Sequence, residues 1–317
     1  MRTSYAPGRI CLVGEHNDWA GGYALTVPMD RGIQVQTEAG TFRTHSWFEG
    51  REHSWSGQGD PGIFNLVPAV FEVLGQPLTG DIRISGDLPA GRGFSSSAAL
   101  CVALVRALRP DASAPEAADL AYRAERLTGS ACGRMDPLAC AWNVPLSLRF
   151  HGEAVVVEPV SGRCALAVGV FPTPRDTRGI LRTLSVHHAG DVSLQDWSAL
   201  ARVGAVRGAL EGFGVQAMHA AAALRDHDLR AVGGAMDACQ EIYEEELVPE
   251  FPELRAPGLV RAVRALKSSG ALGAKFTGAG GEGSVIGLYA PGGAEVGVRA
   301  LDAMGLESFA VEVHGAV

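Results

Sequence analysis

Leu88-Pro-Ala-Gly-Arg-Gly-Phe-Ser-Ser-Ser-Ala-Ala-Leu100 is the stretch from which this chain is best read. Gly91 and Gly93 permit left-handed backbone and let another group come close to the main chain. Three serines follow just where an apolar, Ala- and Leu-rich run begins. Serine favours helix N-caps, and the first N–H groups of a helix have no partner inside it. A turn of this kind concentrates N–H donors and the positive helix end, which suits a phosphate, and a hydroxyl there can ligate Mg²⁺. It is not the usual P-loop, because G-x-x-x-x-G-K-[ST] is absent. Nor is it G-x-G-x-x-G, because Ser96 takes the last glycine's place. Taken alone, the segment reads equally as a glycine-rich turn with an ordinary serine cap.

Outward from this turn, a helix is predicted over 97–108, ending before Pro110, and another over 114–128, with Pro115 near its start and Gly129 after its end. Further helices are predicted in 195–213, 216–224, 227–247 and 257–269. Short Val-, Ile- and Leu-rich runs at 24–37, 82–85, 146–150, 154–157, 165–171, 284–289 and 309–314 read as strands. Residues 41–62, polar with several glycines, read as turns and loop. Strands lead in the N-terminal part, and long helices mix with late strands in the C-terminal part. That is an α+β pattern rather than strict βαβ alternation, with a boundary expected near residues 159–163.

The 317 residues are enough for two domains. With 47% hydrophobic and 20% charged residues the chain is globular rather than disordered. A net charge of −8 supplies no basic field for nucleic acid or an anionic membrane, and all positive residues but Lys267 and Lys275 are arginines or histidines. Cys11, Cys101, Cys132, Cys140, Cys164 and Cys239 form no zinc-type spacing and are expected as buried free thiols. No signal-peptide core and no apolar run of spanning length is visible, so a cytoplasmic protein is expected.

Three further motifs accompany the glycine-rich turn. They are Ala6-Pro-Gly-Arg-Ile-Cys-Leu-Val-Gly-Glu-His-Asn-Asp-Trp19, then Ala121-Tyr-Arg-Ala-Glu-Arg126 running to Cys132-Gly-Arg-Met-Asp136, then Gly273-Ala-Lys-Phe-Thr-Gly-Ala-Gly-Gly-Glu-Gly-Ser284. In this order, and spanning nearly the whole chain, the four motifs resemble the GHMP kinases, with the first and the Cys-Gly-x-Met-Asp form most similar to galactokinase. Trp19 stands where that family has tyrosine and Pro137 where it has glutamine. The resemblance implies a two-domain α+β GHMP kinase fold. Residues 1–161 would form a ribosomal protein S5 domain 2-like N-terminal domain, residues 162–317 a ferredoxin-like C-terminal domain, and the active site would lie between them.

The resemblance also assigns roles. It implies that Asp136 is the catalytic carboxylate beside the acceptor hydroxyl, acting as base or orienting group, with Arg9 as its cationic partner. Pro89, Gly91, Gly93, Ser95, Ser96, Ser97 and Ala98 would bind the ATP phosphates, and Ser97 and Glu125 would ligate Mg²⁺, which needs few protein ligands. Glu15, His16 and Asp18 would bind a sugar, since carboxylates and an imidazole match several adjacent hydroxyls. The glycine loop 278–283 is expected over or beside the phosphates, with Lys275 and Thr277 either reaching phosphate or exposed at a strand end. Residues 171–177 are candidates to line the acceptor site. His187 and His188 are expected in a loop.

The function so implied is ATP- and Mg²⁺-dependent phosphorylation of a monosaccharide hydroxyl, the anomeric one foremost, by direct in-line transfer. A kinase for a mevalonate-like or amino-acid-like alcohol and a non-catalytic sugar and ATP sensor are the alternatives. The expected partners are the small acceptor and ATP, with the protein a monomer or homodimer.

Overall fold

A computed structural model describes residues 1–48, 51–89, 91–130, 132–172, 177–191 and 197–315. In chain order the first elements are β1 (Arg2–Val13), α1 (Asn17–Ala20), β2 (Gly22–Glu38), β3 (Arg43–Phe48), β4 (Arg51–Trp55), α2 (Leu66–Val73) and β5 (Asp81–Gly86). Next come α3 (Ser96–Leu108), α4 (Ala114–Leu127), α5 (Met135–Trp142), β6 (Leu146–His151), β7 (Ala154–Pro159) and β8 (Cys164–Val170). The remainder is α6 (Thr177–Ala189), α7 (Trp197–Arg225), α8 (Leu229–Ile242), α9 (Pro257–Ser268), β9 (Gly273–Phe276), β10 (Ser284–Tyr289), α10 (Glu295–Asp302) and β11 (Glu307–Val313).

These elements fall into two compact units, Met1–Arg9 with Pro28–Asn143, and Ile10–Val27 with Val144–Val317. In the first unit the C-terminal half of β2 pairs antiparallel with β5, β5 pairs parallel with β3, and β3 pairs with β4. Helices α2, α3, α4 and α5 pack together, and Phe71, Ala98, Val102, Leu104, Ala121 and Cys140 are among the buried side chains of their shared core. The sequence explains α4 in detail. Ser113 caps it, the Glu116 side chain reaches back to the Ser113 N–H at 2.9 Å, and Pro115 sits in its first turn.

In the second unit β11, β8, β10 and β9 form an antiparallel sheet in that order. Its inner strand β8 reads CALAVGV and is buried throughout, as a strand covered on both faces must be. Helices α8, α9 and α10 pack against this sheet, and α7 packs on α8. In the same unit the N-terminal half of β2 pairs with β6, and β6 with β7.

Three expectations are corrected. The polar stretch 41–62 contains the β3–β4 hairpin, whose register runs from Thr44 opposite Trp55 to Phe48 opposite Arg51. Such a partly exposed pair carries polar residues and lacks the apolar run by which buried strands are recognised. The two helices predicted in 195–213 and 216–224 are one, α7, because glycines at 212 and 214 weaken a helix without breaking it. His187 and His188 lie in α6, not in a loop, and His187 Nδ1 is 2.7 Å from the Thr183 carbonyl oxygen one turn back.

Gly273 on β9 and Gly233 on α8 bring two backbones together so closely that a Cβ on Gly273 would overlap the Gly233 carbonyl oxygen. Backbone cannot swing aside as a side-chain tip can. Gly273→Ala is therefore expected to lower the unfolding free energy by roughly 1–3 kcal/mol. Urea melts read by circular dichroism check this, and an unchanged midpoint would show that helix and strand separate freely.

Candidate active site

In the first unit the glycine-rich turn leads into α3. Gly91 and Gly93 have φ of 67° and 88°, and Ser95 stands in the left-handed region at φ 61°. Among the described residues, its chain neighbours aside, nothing lies within 4 Å of the place where a Gly91 side chain would project. Ser95 is the N-cap of α3 by position, yet its side chain makes no cap hydrogen bond. Its Oγ is buried and takes part in no hydrogen bond among the described residues. The cap expected of a serine is thus absent, and the first N–H groups of α3 are left for an anion.

Arg9 is 4% exposed and bridges this turn to α5. Its Nη1 donates to the Gly93 carbonyl at 2.7 Å, while Nε at 2.8 Å and Nη2 at 2.5 Å both donate to Asp136 Oδ1. The Arg9 backbone N–H also donates to the Phe94 carbonyl, at 3.2 Å. Asp136 lies in the first turn of α5, where the helix dipole favours a carboxylate. Its Oδ2 takes no hydrogen bond among the described residues and its side chain stays 27% exposed, so one oxygen is held and the other is presented.

Beside this pair, Ser97 Oγ on α3 donates to Glu125 Oε1 on α4 at 2.6 Å. Among the described residues no hydrogen bond of good geometry reaches the buried Glu125 Oε2, and the nearby Cys132 thiol also favours the charged carboxylate. Burial pushes the Glu125 carboxyl up to about 7, the Asp136 charge adds to the rise, and the Ser97 hydrogen bond opposes it. The half-buried Ser97 hydroxyl and the buried Glu125 carboxylate, joined by their hydrogen bond, are hard oxygen donors of the kind Mg²⁺ takes. Among the described residues no group of three His, Cys, Asp or Glu is placed to hold a metal, and magnesium, which keeps waters and phosphate oxygens, does not ask for one.

In the second unit Glu15 and His16 sit on the link from β1 into α1, and Asp18 lies in the first turn of α1. Glu15 is 1% and His16 5% exposed. His16 is in the left-handed region at φ 70°. Its ring meets Trp19 edge-on at 5.6 Å between centroids, and Trp19 meets His188 likewise at 5.6 Å. Lys275 and Thr277 are fully buried, which corrects their expected exposure. Lys275 pairs with Glu15, and Thr277 Oγ1 donates to the Cys11 carbonyl at 3.0 Å.

The third motif's loop is tied down from two sides. The Gly281 N–H donates to Tyr243 Oη at 2.8 Å, and Glu282 Oε1 accepts from the Gly258 N–H in the first turn of α9 at 2.6 Å. Glu282, which breaks the glycine run, therefore caps a helix. Tyr243 opens a turn of π-helix, Tyr243–Leu247, that follows α8. No sequence signal marked it, because its partner is 38 residues away. The segment 171–177 lies outside the described residues except for its ends. None of the six cysteines is in a disulfide, and Cys11, Cys101, Cys140, Cys164 and Cys239 are buried, as expected, while Cys132 is half-buried. Burial holds the thiols of Cys164 and Cys239 at about 12.

Residues 64–143 match the GHMP kinases N terminal domain, residues 220–305 the GHMP kinases C terminal domain, and residues 2–37 the galactokinase galactose-binding signature. The chain is 30% identical to a galactokinase of Mycobacterium bovis over 336 aligned residues, covering 91% of this chain and 89% of that protein. The chain is a GHMP kinase. This GHMP kinase has the two-domain α/β architecture of its family and is an ATP-dependent enzyme that transfers a phosphoryl group to a small alcohol. Its fold superposes on Lactococcus lactis galactokinase complexed with galactose with a TM-score of 0.77 at 18% identity, covering 99% of this chain and 93% of that one. It superposes on L. major mevalonate kinase in complex with R-mevalonate with a TM-score of 0.76 at 19% identity, covering 100% and 97%. Among the described residues no helix is long and apolar enough to cross a membrane.

Proposed function

We propose that this GHMP kinase is a galactokinase-like sugar kinase that phosphorylates a monosaccharide, at its anomeric hydroxyl, by direct in-line transfer. The observation that carries the reading is the Arg9 fork, which grips Asp136 through two nitrogens and the Gly93 carbonyl through the third. A single cation thereby couples the carboxylate to the phosphate turn. The similarity to the galactose-binding signature over residues 2–37 and to galactokinases supports a sugar as acceptor.

In this reading Pro89, Gly91, Gly93, Ser95, Ser96, Ser97 and Ala98 surround the ATP phosphates, with the uncapped N–H groups of α3 as donors. Ser97 and Glu125 would hold Mg²⁺, which would supply neutralising charge to the transferred phosphoryl group. Asp136 Oδ2 accepts a hydrogen bond from the acceptor hydroxyl, orients it and takes its proton as the new O–P bond forms and the bond from the γ-phosphorus to the bridging oxygen of ADP breaks. Arg9 keeps that carboxylate charged and fixed. Within this segment His16 and Asp18 recognise the remaining hydroxyls of the sugar, and Glu15, whose Oε1 is taken by Lys275, holds the segment in place. The division into domains at residues 161 and 162 belongs to the same reading, as does a cytoplasmic enzyme without nucleic-acid or membrane partners.

The test is ADP release with MgATP over a panel of monosaccharides, mevalonate and homoserine. Turnover is expected on a monosaccharide, with the product losing its reducing end. Turnover confined to mevalonate or homoserine would overturn the sugar reading and leave the family assignment standing.

A further inference from the structure

Lys275 is one of two lysines in the chain and is fully buried on β9. Its ammonium binds Glu15 Oε1, donates to the Phe276 carbonyl at 2.6 Å and lies 4.2 Å from the centre of the Phe276 ring. The Cys239 thiol near it stays protonated, held at about 12 by burial, so the carboxylate that balances this ammonium is Glu15. Burying both charges is costly, and an apolar pair of similar volume is often at least as stable. Stability alone does not account for an ion pair in this place.

Its position does account for it. Glu15 directly precedes His16, a non-glycine residue held at φ 70°. Such backbone persists only where its surroundings over-determine it. Lys275 lies on β9 and Thr277 directly after its last residue, where the Thr277 N–H still donates to the Ser284 carbonyl at 3.1 Å, so the two side chains, two apart, share one face. Lys275 takes Glu15 and Thr277 takes the Cys11 carbonyl, so the strand grips the first motif at two points four residues apart in sequence. Asn17, fully buried, adds a third tether through its Nδ2, which donates to the Tyr23 carbonyl at 2.8 Å.

We infer that Lys275 is a positioning residue for acceptor recognition: through its ion pair with Glu15 it sets the backbone on which His16 and Asp18 stand. The inference rests on the proposal that this segment meets the acceptor. Lys275 touches neither substrate, and Glu15 acts as the other half of the strut.

The experiment compares the full-length enzyme with Lys275→Met, Lys275→Arg and the neutral double variant Lys275→Met/Glu15→Gln. Acceptor KM, ATP KM, kcat and thermal melting are measured for each. In Lys275→Met the acceptor KM is expected to rise roughly 10- to 100-fold while the ATP KM stays within about threefold. Lys275→Arg should restore most of the acceptor KM, since it restores the cation. The double variant leaves no unpaired buried charge, so it should melt near the parent while keeping the raised acceptor KM. If that variant regains acceptor KM together with stability, or if both KM values and kcat move in step, the pair serves folding alone and the inference falls. Should Lys275→Met not fold, the double variant carries the comparison. A parent enzyme that uses mevalonate or homoserine instead of a sugar ends the sugar reading, and the same KM ratios are then read on that alcohol. An enzyme that phosphorylates none of these acceptors ends both.

Discussion

Asp136→Asn is expected to lower kcat by about 10² to 10⁴, the usual worth of a positioned proton acceptor. The asparagine carbonyl can still take the two hydrogen bonds that Arg9 now gives to Oδ1, so the fork and its bond to Gly93 have reason to persist. What disappears is the negative charge and the basic oxygen presented on the exposed side of the carboxylate. MgATP affinity, measured by calorimetry, should change little, because the turn and the Ser97–Glu125 pair are untouched. The loss should therefore appear in single-turnover phosphoryl transfer rather than in nucleotide binding. Transfer within tenfold of the parent would remove Asp136 from the centre of the mechanism, whichever alcohol is the acceptor.

Glu125→Gln is expected to trade activity for stability. The Glu125 carboxyl, ordinarily at 4.5, is held at about 7 in the folded chain because burial disfavours its charge. Below pH 4.5 the group is protonated in both folded and unfolded chains and costs nothing. As pH rises toward 7 the unfolded chain ionises first, so folding loses stability across that window and the loss is complete above it. A rise from 4.5 to about 7 corresponds to about 3 kcal/mol. Glutamine is neutral throughout and weakens the Ser97 hydrogen bond by about 1 kcal/mol, so the chelator-treated variant should be more stable than the parent at pH ~8 by about 2 kcal/mol. Near pH 4.5 the gain should be gone and the variant should be less stable than the parent by about 1 kcal/mol. Turnover with MgATP should fall roughly 10²-fold, equivalent to about 3 kcal/mol of transition-state stabilisation. Urea melts at both pH values and steady-state ADP release check the two halves separately. A variant no more stable at the higher pH would mean that burial of the carboxylate costs the fold nothing, and a fully active one would remove Glu125 from the metal site.

Much of this is legible in the sequence. The boundaries of α3, α4 and β10 come within a residue of expectation because local chemistry marks them: an apolar run opened by serines, a capping box with proline, and a strand of Val, Ile and Leu. Strand β1 escapes notice because Pro7 and Gly8 interrupt it, and β9 because four residues are too few to show a period. The hairpin of β3 and β4 escapes because an exposed strand need not be apolar. Among site residues, the pairing of Arg9 with Asp136 follows from family likeness and is present in the geometry. The meeting of Lys275 with Glu15, 260 positions apart, has no such guide.

Residue order alone carries the α+β class, the phosphate-type turn and the likeness to GHMP kinases, since these depend on neighbours within a few positions and on residue identity. Folding is required to show which charged groups lose their water. Glu125 near neutrality, Ser95 without a cap to make, and Lys275 sealed against Glu15 are consequences of burial. Burial is a property of the packed chain: the same side chains, solvated in an extended polymer, would be ordinary acids, hydroxyls and bases.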